Sequence, residues 1–129
     1  MTIITGFLLL IIAGGAGAVT RYLITLAVPT RVTRRFPWTT FFINVSGALL
    51  LGLATGLAAN HLLPQEWRSI IGTGLLGGYT TFSTASLDAW KLLVSGTRIR
   101  AAIYALGMFA SAVAAAGVGA SIGGALGST

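Results

Sequence analysis

Cysteine is absent and acid is nearly so: Glu66 and Asp88 are the only two carboxylate side chains in 129 residues. Without thiols there is no disulfide, no thiolate metal site and no cysteine nucleophile. Two isolated acids and the single histidine, His61, supply no paired carboxylates, no H-E-x-x-H zinc site and no Ser/His/Asp set. His61 sits beside Pro64 between apolar stretches, where an interfacial histidine is expected rather than a ligand. Enzyme chemistry has almost nothing to stand on. Charge of either sign is scarce, at 8% of residues against 55% hydrophobic, whereas soluble domains carry about a quarter charged residues. With a mean hydropathy of +0.90, a soluble fold would lack polar surface.

The formal charge of +6 is confined to short stretches beside apolar runs. That placement indicates lipid headgroups and topology control, and no nucleic-acid binding is read from it. Residues 1–6 carry no Lys or Arg, so the first apolar run lacks the basic start of a secretory signal and is expected to be retained.

Four charge-free stretches, 1–20, 36–65, 69–87 and 101–129, are each long enough to hold a membrane-crossing helix, since about 20 residues span a hydrocarbon core of about 30 Å. Inside lipid such lengths satisfy their backbone only as helices. The expected spans are 3–28, 39–60, 69–93 and 100–122, with Pro29, Pro37 and Pro64 falling between them. The loops leave no room for a soluble domain. The fold class is therefore an all-α membrane protein, residues 1–129 forming one domain of four transmembrane helices. Small residues recur at four-residue spacing in Gly52/Gly56, Gly74/Gly78, Gly107/Ser111 and Gly119/Gly123, which allows close helix contact. Four thin helices bury little of themselves, so a partner subunit is expected. Arg31, Arg34, Arg35, Lys91, Arg98 and Arg100 fall on one side, against Arg68 on the other, which places both termini outside.

The segment Gly72-Thr73-Gly74-Leu75-Leu76-Gly77 formally matches G-x-G-x-x-G, but no strand precedes it and it lies within an apolar span, so dinucleotide binding is rejected. More informative is Gly77-Gly78-Tyr79-Thr80-Thr81-Phe82-Ser83-Thr84, in the middle of the third span. Two glycines weaken the helix there, and the hydroxyls compete for backbone groups. A break at membrane depth is tolerated only where it is buried in protein or lines a cavity. Freed carbonyls suit a cation; hydroxyls and opened N–H groups suit an anion. The alternative is an unbroken helix whose Ser and Thr bond back to their own turn.

Asn44 is a carboxamide inside an apolar span and needs a partner; its N–H donors suit an anion, or it joins two helices. Phe82 is lipid-facing or part of the core, or it offers its positive ring edge to a small anion. Asp88 would cost about 2.5–3.5 kcal/mol at a helix centre; lying near the end of its span beside Lys91, it is expected to form an ion pair. Tyr104 and Ser111, seven residues apart, share a face of the fourth helix and can form a polar track, unless Tyr104 belongs to an interfacial belt.

Together, Gly14-Gly15-Ala16-Gly17-Ala18-Val19-Thr20-Arg21-Tyr22, Phe42-Ile43-Asn44-Val45-Ser46-Gly47 and the Gly77 to Thr84 motif resemble the Fluc (CrcB-type) fluoride channels over the whole chain. The resemblance implies an antiparallel, double-barrelled dimer in a bacterial or archaeal plasma (inner) membrane. Fluoride would pass out of the cell down its gradient, without fuel. Asn44 matches the pore asparagine and Phe82 the first of two pore phenylalanines. The backbone carbonyls of Gly77 and Thr80 match those that hold a structural Na+ at the dimer interface. Arg21 matches the basic residue ending the first span, and Asp88 stands where relatives often carry Glu. Ser83, Tyr104 and Ser111 join the polar track.

Ala85 departs from this pattern, because a second phenylalanine is expected there. The lopsided loop charge departs too, since a protein inserting in both orientations should show little bias. Both departures fit one half of a heterodimer whose partner, a paralogue of opposite orientation, supplies the missing ring; a homodimer is the simpler arrangement. Two rivals remain at this level. A small multidrug-type proton-coupled exporter needs a carboxylate in its first helix, and this first span has none. A non-conducting structural subunit would show no flux.

Overall fold

Prolines and capping hydroxyls set the helix boundaries in the computed structural model, which describes residues 2–127. Helix α1, Ile3–Ala27, starts at Thr2, whose side chain accepts from the Thr5 amide. It stops at Val28, which is extended (φ −84°, ψ 120°) as the following Pro29 favours. The single turn α2, Thr30–Thr33, leads to α3, Trp38–Ala59, which begins behind Pro37. At the end of α3 the His61 amide bonds to Ala58 O (3.1 Å) and the Leu62 amide to Leu57 O (3.0 Å). This Schellman closure requires a left-handed residue, usually glycine, and here His61 takes it with φ 57°.

The next element is one helical rod in several conformations. It runs as α4 (Gln65–Ser69), a π-helical segment (Ile70–Leu76) and α5 (Gly77–Tyr79). Thr80 (ψ 160°) and Thr81 (φ −149°) are extended and interrupt the rod before α6, Phe82–Val94. Gly96, at φ 80°, turns the chain into α7, Arg98–Leu126. The rod begins at Gln65 rather than at 69, because Pro64 already provides an extended N-terminal cap. Among the described residues three helices, α1, α3 and α7, are long and apolar enough to cross a membrane.

Glycines determine which helices meet. A methyl at Gly52 would overlap the Ala116 carbonyl, and one at Gly119 the Leu49 carbonyl, so α3 and α7 lie backbone to backbone. A second pair forms where Gly17 of α1 meets the Leu75 carbonyl and Gly78 meets the Gly14 carbonyl. Of the small-residue pairs in the sequence, only Gly107/Ser111 fails to mark such a contact, since a methyl at Gly107 meets nothing within 4 Å. Burial is confined to a thin seam including Ile43, Ala54, Ile70, Leu76, Ala101, Tyr104 and Met108. Ile3 (80%), Leu106 (70%) and Phe109 (70%) face outward. Such an apolar exterior is covered by lipid or by another chain. Hydroxyls on these faces bond to their own helix, as Thr20 does to Ala16 O and Ser121 to Gly117 O, both at 2.9 Å.

Candidate ion pathway at the helix break

Thr80 still follows the helical pattern: its amide and its Oγ1 both donate to Leu76 O, each at 2.9 Å. Thr81 does not. Its amide donates to Asn44 Oδ1 (2.8 Å), and its carbonyl accepts from Asn44 Nδ2 (3.0 Å). One carboxamide on α3 thus satisfies both backbone groups of the extended residue. Thr81 Oγ1 then accepts from the Thr84 amide (3.2 Å), capping α6.

These bonds have a consequence for the preceding turn. The amides that would close helical turns onto the Gly77 and Thr80 carbonyls are those of Thr81 and Thr84, and both are committed elsewhere. The two carbonyls are thereby released from the helix, which makes them available to a cation. Close approach adds to the constraint, since a methyl at Gly47 would overlap the Thr80 side chain. Ser46 Oγ and Tyr79 Oη lie 3.0 Å apart and tie α3 to α5 just before the break.

Three cavities meet near this point. The first, about 410 Å³, is lined by Asn44, Thr81, Phe82, Ala85, Tyr104 and Met108 among others. A second, about 280 Å³, holds Arg21, Tyr22, Thr25, Thr40, Thr81 and Thr84. The third, about 550 Å³, opens beside Arg34, Arg35, Asp88 and Lys91 and shares Thr25, Thr40 and Thr84 with the second. Thr81 lines both the first and the second. Threonine hydroxyls therefore link a basic mouth to the helix break.

The residues singled out from sequence fall at different points of this route. Asn44, Phe82, Ala85 and Tyr104 line the cavity at the break, and Arg21 the next one. Phe82 is 88% exposed, its ring projecting from the first position of α6. Arg21 Nε is buried without a partner. Tyr104 is fully buried; its hydroxyl lies near Thr40 and Asp88 but makes no hydrogen bond. Ser83 Oγ stands 3.3 Å from Thr81 Oγ1. Ser111 lies outside these three cavities; on its helix Met108 and Ala112 face the break instead.

One correction follows. Asp88 does not pair with Lys91 but accepts from Thr40 Oγ1 at 2.8 Å, because the neighbouring α3 brings a hydroxyl to it. Asn44 joins helices, as its carboxamide in an apolar span allowed: besides holding Thr81, its Nδ2 reaches Met108 Sδ at 3.3 Å. Sequence reading also passed over Thr39 and Thr40, both buried, although two adjacent threonines right behind Pro37 in an apolar span were a visible signal.

Residues 8–120 match the family model described as CrcB-like protein, Camphor Resistance (CrcB). The chain is 48% identical over 113 residues to fluoride-specific ion channel FluC 1 of Leifsonia xyli subsp. xyli, covering 88% of this chain and 82% of that protein. Fluoride-specific ion channel FluC of Nitrobacter winogradskyi is 45% identical over 111 residues, or 84% of this chain and 88% of that one. Fluoride-specific ion channel FluC 2 of Cutibacterium acnes is 42% identical over 113 residues, 87% of this chain and 92% of that one. Similarity of this strength across nearly the whole length, with the broken helix inside the matched region, means that the chain belongs to the CrcB-like family.

Proposed function

We propose that this chain is a subunit of a passive, fluoride-selective channel that lowers cytoplasmic fluoride by efflux across the inner membrane. The observation that carries the reading is the Asn44 grip on Thr81, which builds donors and released carbonyls into an otherwise apolar helical protein. Relatives at 42–48% identity are named fluoride-specific ion channels, and a channel needs no catalytic group.

A small, strongly hydrated anion crosses only if donors replace its water. Arg34, Arg35 and Lys91 give the mouth a positive potential. From there the Thr84 hydroxyl, which accepts from Thr81 and keeps its own proton, offers a donor beside the unpaired Arg21 Nε, while Thr40 donates to Asp88. At the break, fluoride displaces Met108 Sδ from Asn44 Nδ2, since a thioether is a weak acceptor. The bond to Thr81 keeps the carboxamide aimed meanwhile. The Phe82 ring edge and the Tyr104 side chain complete the surroundings, with Ser83 and Ser111 as outlying members of the track. No carboxylate in α1 and no nucleotide motif provides coupling, so transport runs down the gradient.

In this reading the rod from Gln65 to Val94 is the fourth crossing, and two subunits pair antiparallel to form two pores. The Gly77 and Thr80 carbonyls suit a structural Na+ between subunits, because they lack helical donors. Ala85 gives each pore one ring edge fewer. With the basic residues gathered at one end, this favours a heterodimer whose partner supplies the ring.

Fluoride efflux from liposomes reconstituted with the chain tests the proposal, with chloride as control and sodium varied. Fluoride-selective efflux above protein-free vesicles is expected, slowed without sodium. Equal chloride and fluoride rates would overturn the channel reading, as would no flux of either both from the chain alone and from the chain reconstituted with a paralogue of opposite orientation. Rapid efflux by the chain alone would sink only the heterodimer.

A further inference from the structure

The 550 Å³ cavity at the basic end has a property that fluoride conduction does not require. A monatomic ion occupies about the space of one water, roughly 30 Å³, and the cavity is far larger. It is lined by three cations, Arg34, Arg35 and Lys91, and by one acid, Asp88, which is already engaged by Thr40. No ion pair neutralises any of the three among the described residues. The only other acid in the chain, Glu66, lies beside Ile3 and Phe7 at the opposite end of α1 from Thr25 and Val28, which line this cavity.

A second observation points the same way. Thr39 lines this cavity, is 8% exposed, and its Oγ1 has no hydrogen-bond partner. Thr30 adds a further hydroxyl, whereas those of Thr33 and Ser95 already donate to Thr30 O and Leu92 O. Three cations against one carboxylate leave a net positive lining around an orphaned hydroxyl, which fits a multi-oxygen anion, as phosphate is. The residues next to these cations in sequence, outside the cavity lining itself, indicate where that phosphate comes from. Val32, Trp38, Trp90, Leu93 and Val94 are all more than 40% exposed and flank the cationic residues in sequence. Tryptophan beside arginine and lysine at the end of an apolar span sits at headgroup depth, and basic pockets between spans hold anionic headgroups.

We infer that this cavity binds the phosphodiester of an anionic phospholipid, held by Arg34, Arg35, Lys91 and the Thr39 hydroxyl, with the acyl chains lying over Val32, Leu93 and Val94. The cavity is also the mouth of the proposed pathway, so a bound headgroup would lie at the fluoride entrance, but the test reads bound lipid and can fail or succeed whether or not the chain conducts.

The full chain, purified and delipidated in detergent, is titrated with phosphatidylglycerol, phosphatidylcholine or inorganic phosphate, and bound lipid is counted by native mass spectrometry. Phosphatidylglycerol is expected to be retained in preference to phosphatidylcholine. One basic group near an anionic surface contributes about 1 kcal/mol, or about fivefold. Lys91→Gln should therefore lower phosphatidylglycerol affinity about fivefold, and the triple variant Arg34→Gln/Arg35→Gln/Lys91→Gln about a hundredfold. Thr39→Val should weaken phosphatidylglycerol binding, because it removes the hydroxyl that faces the phosphodiester. Arg68→Gln, at the far end, should change binding of neither lipid. Should the triple variant fail to fold, Lys91→Gln with unchanged helical circular dichroism decides. Equal retention of the two lipids, or undiminished phosphatidylglycerol affinity in Lys91→Gln, would overturn the site. Displacement of the lipid by an equal concentration of inorganic phosphate would assign the cavity to free phosphate and overturn the lipid reading.

Discussion

Asn44 and Thr81, 37 residues apart, are joined by a two-point bond: the Thr81 amide donates to Oδ1 at 2.8 Å and Nδ2 donates to the Thr81 carbonyl at 3.0 Å. Asn44→Ala leaves both backbone groups unpaired in a part-buried place, at a cost of about 1–3 kcal/mol each before relaxation. Asn44→Asp keeps the acceptor for the Thr81 amide but loses the donor and adds a negative charge to the pathway. The expected outcome is loss of fluoride efflux in both, with the larger fall in unfolding free energy in Asn44→Ala. Liposome flux and denaturant unfolding in detergent separate the two effects. Normal efflux in both variants would remove Asn44 from the pathway.

Thr81 also caps α6 through Oγ1, with Thr84 as donor. Thr81→Val removes the cap and should cost about 1 kcal/mol. Thr81→Ser retains the hydroxyl and should recover most of the stability and the flux. Equal loss in the two variants would show that the methyl, not the oxygen, matters here.

His61 holds φ 57° at the end of α3. A left-handed residue with a Cβ costs about 1–2 kcal/mol, partly offset in glycine by its greater freedom when unfolded. His61→Gly should raise stability by about 0.5–1 kcal/mol and leave fluoride flux unchanged, because the residue lies outside the three cavities of the pathway. Thermal unfolding in detergent checks this.

Two glycines of α7 should respond in opposite ways to the same methyl. Gly119→Ala forces the methyl into the Leu49 carbonyl, so α3 and α7 must separate, at about 1–3 kcal/mol. Gly107→Ala meets nothing within 4 Å and should gain up to about 1 kcal/mol of helix propensity. Denaturant midpoints of the two variants should therefore bracket that of the parent chain.

The contrast between those glycines also shows what the sequence could reveal. Spacing alone identified Gly52, Gly56, Gly119 and Gly123 as contact residues, because every fourth residue shares a helix face. It gave the same weight to Gly107, since spacing records a face and not what lies opposite it. Likewise, the glycine and hydroxyl content of residues 77–84 marked a weakened helix. That Thr81 is the residue whose amide leaves the ladder depends on Asn44, brought from another helix. The π-helical turn at Ile70–Leu76 had no sequence signal beyond Gly72 and Gly74. Asp88 was assigned to Lys91 because Lys91 is near in sequence, whereas Thr40 reaches it only through tertiary contact.

Ala85 offers the sharpest test of the proposed pore. It is half-buried and lines the 410 Å³ cavity with Phe82 and Phe109, so a larger side chain has room there. If ring edges hold fluoride, adding one should act through its electrostatics and not through its volume. An aromatic edge contact contributes about 0.5–1.5 kcal/mol, so Ala85→Phe should speed fluoride efflux by the chain alone by up to about tenfold. Ala85→Leu fills similar space without a polarised edge and should leave the rate at the parent level or below it. Phe82→Ile, which removes the existing edge, should abolish efflux in either background. Equal rates for the Phe and Leu variants at position 85 would show that the cavity needs filling rather than a ring, and the case for a partner that contributes the missing phenylalanine would then fail.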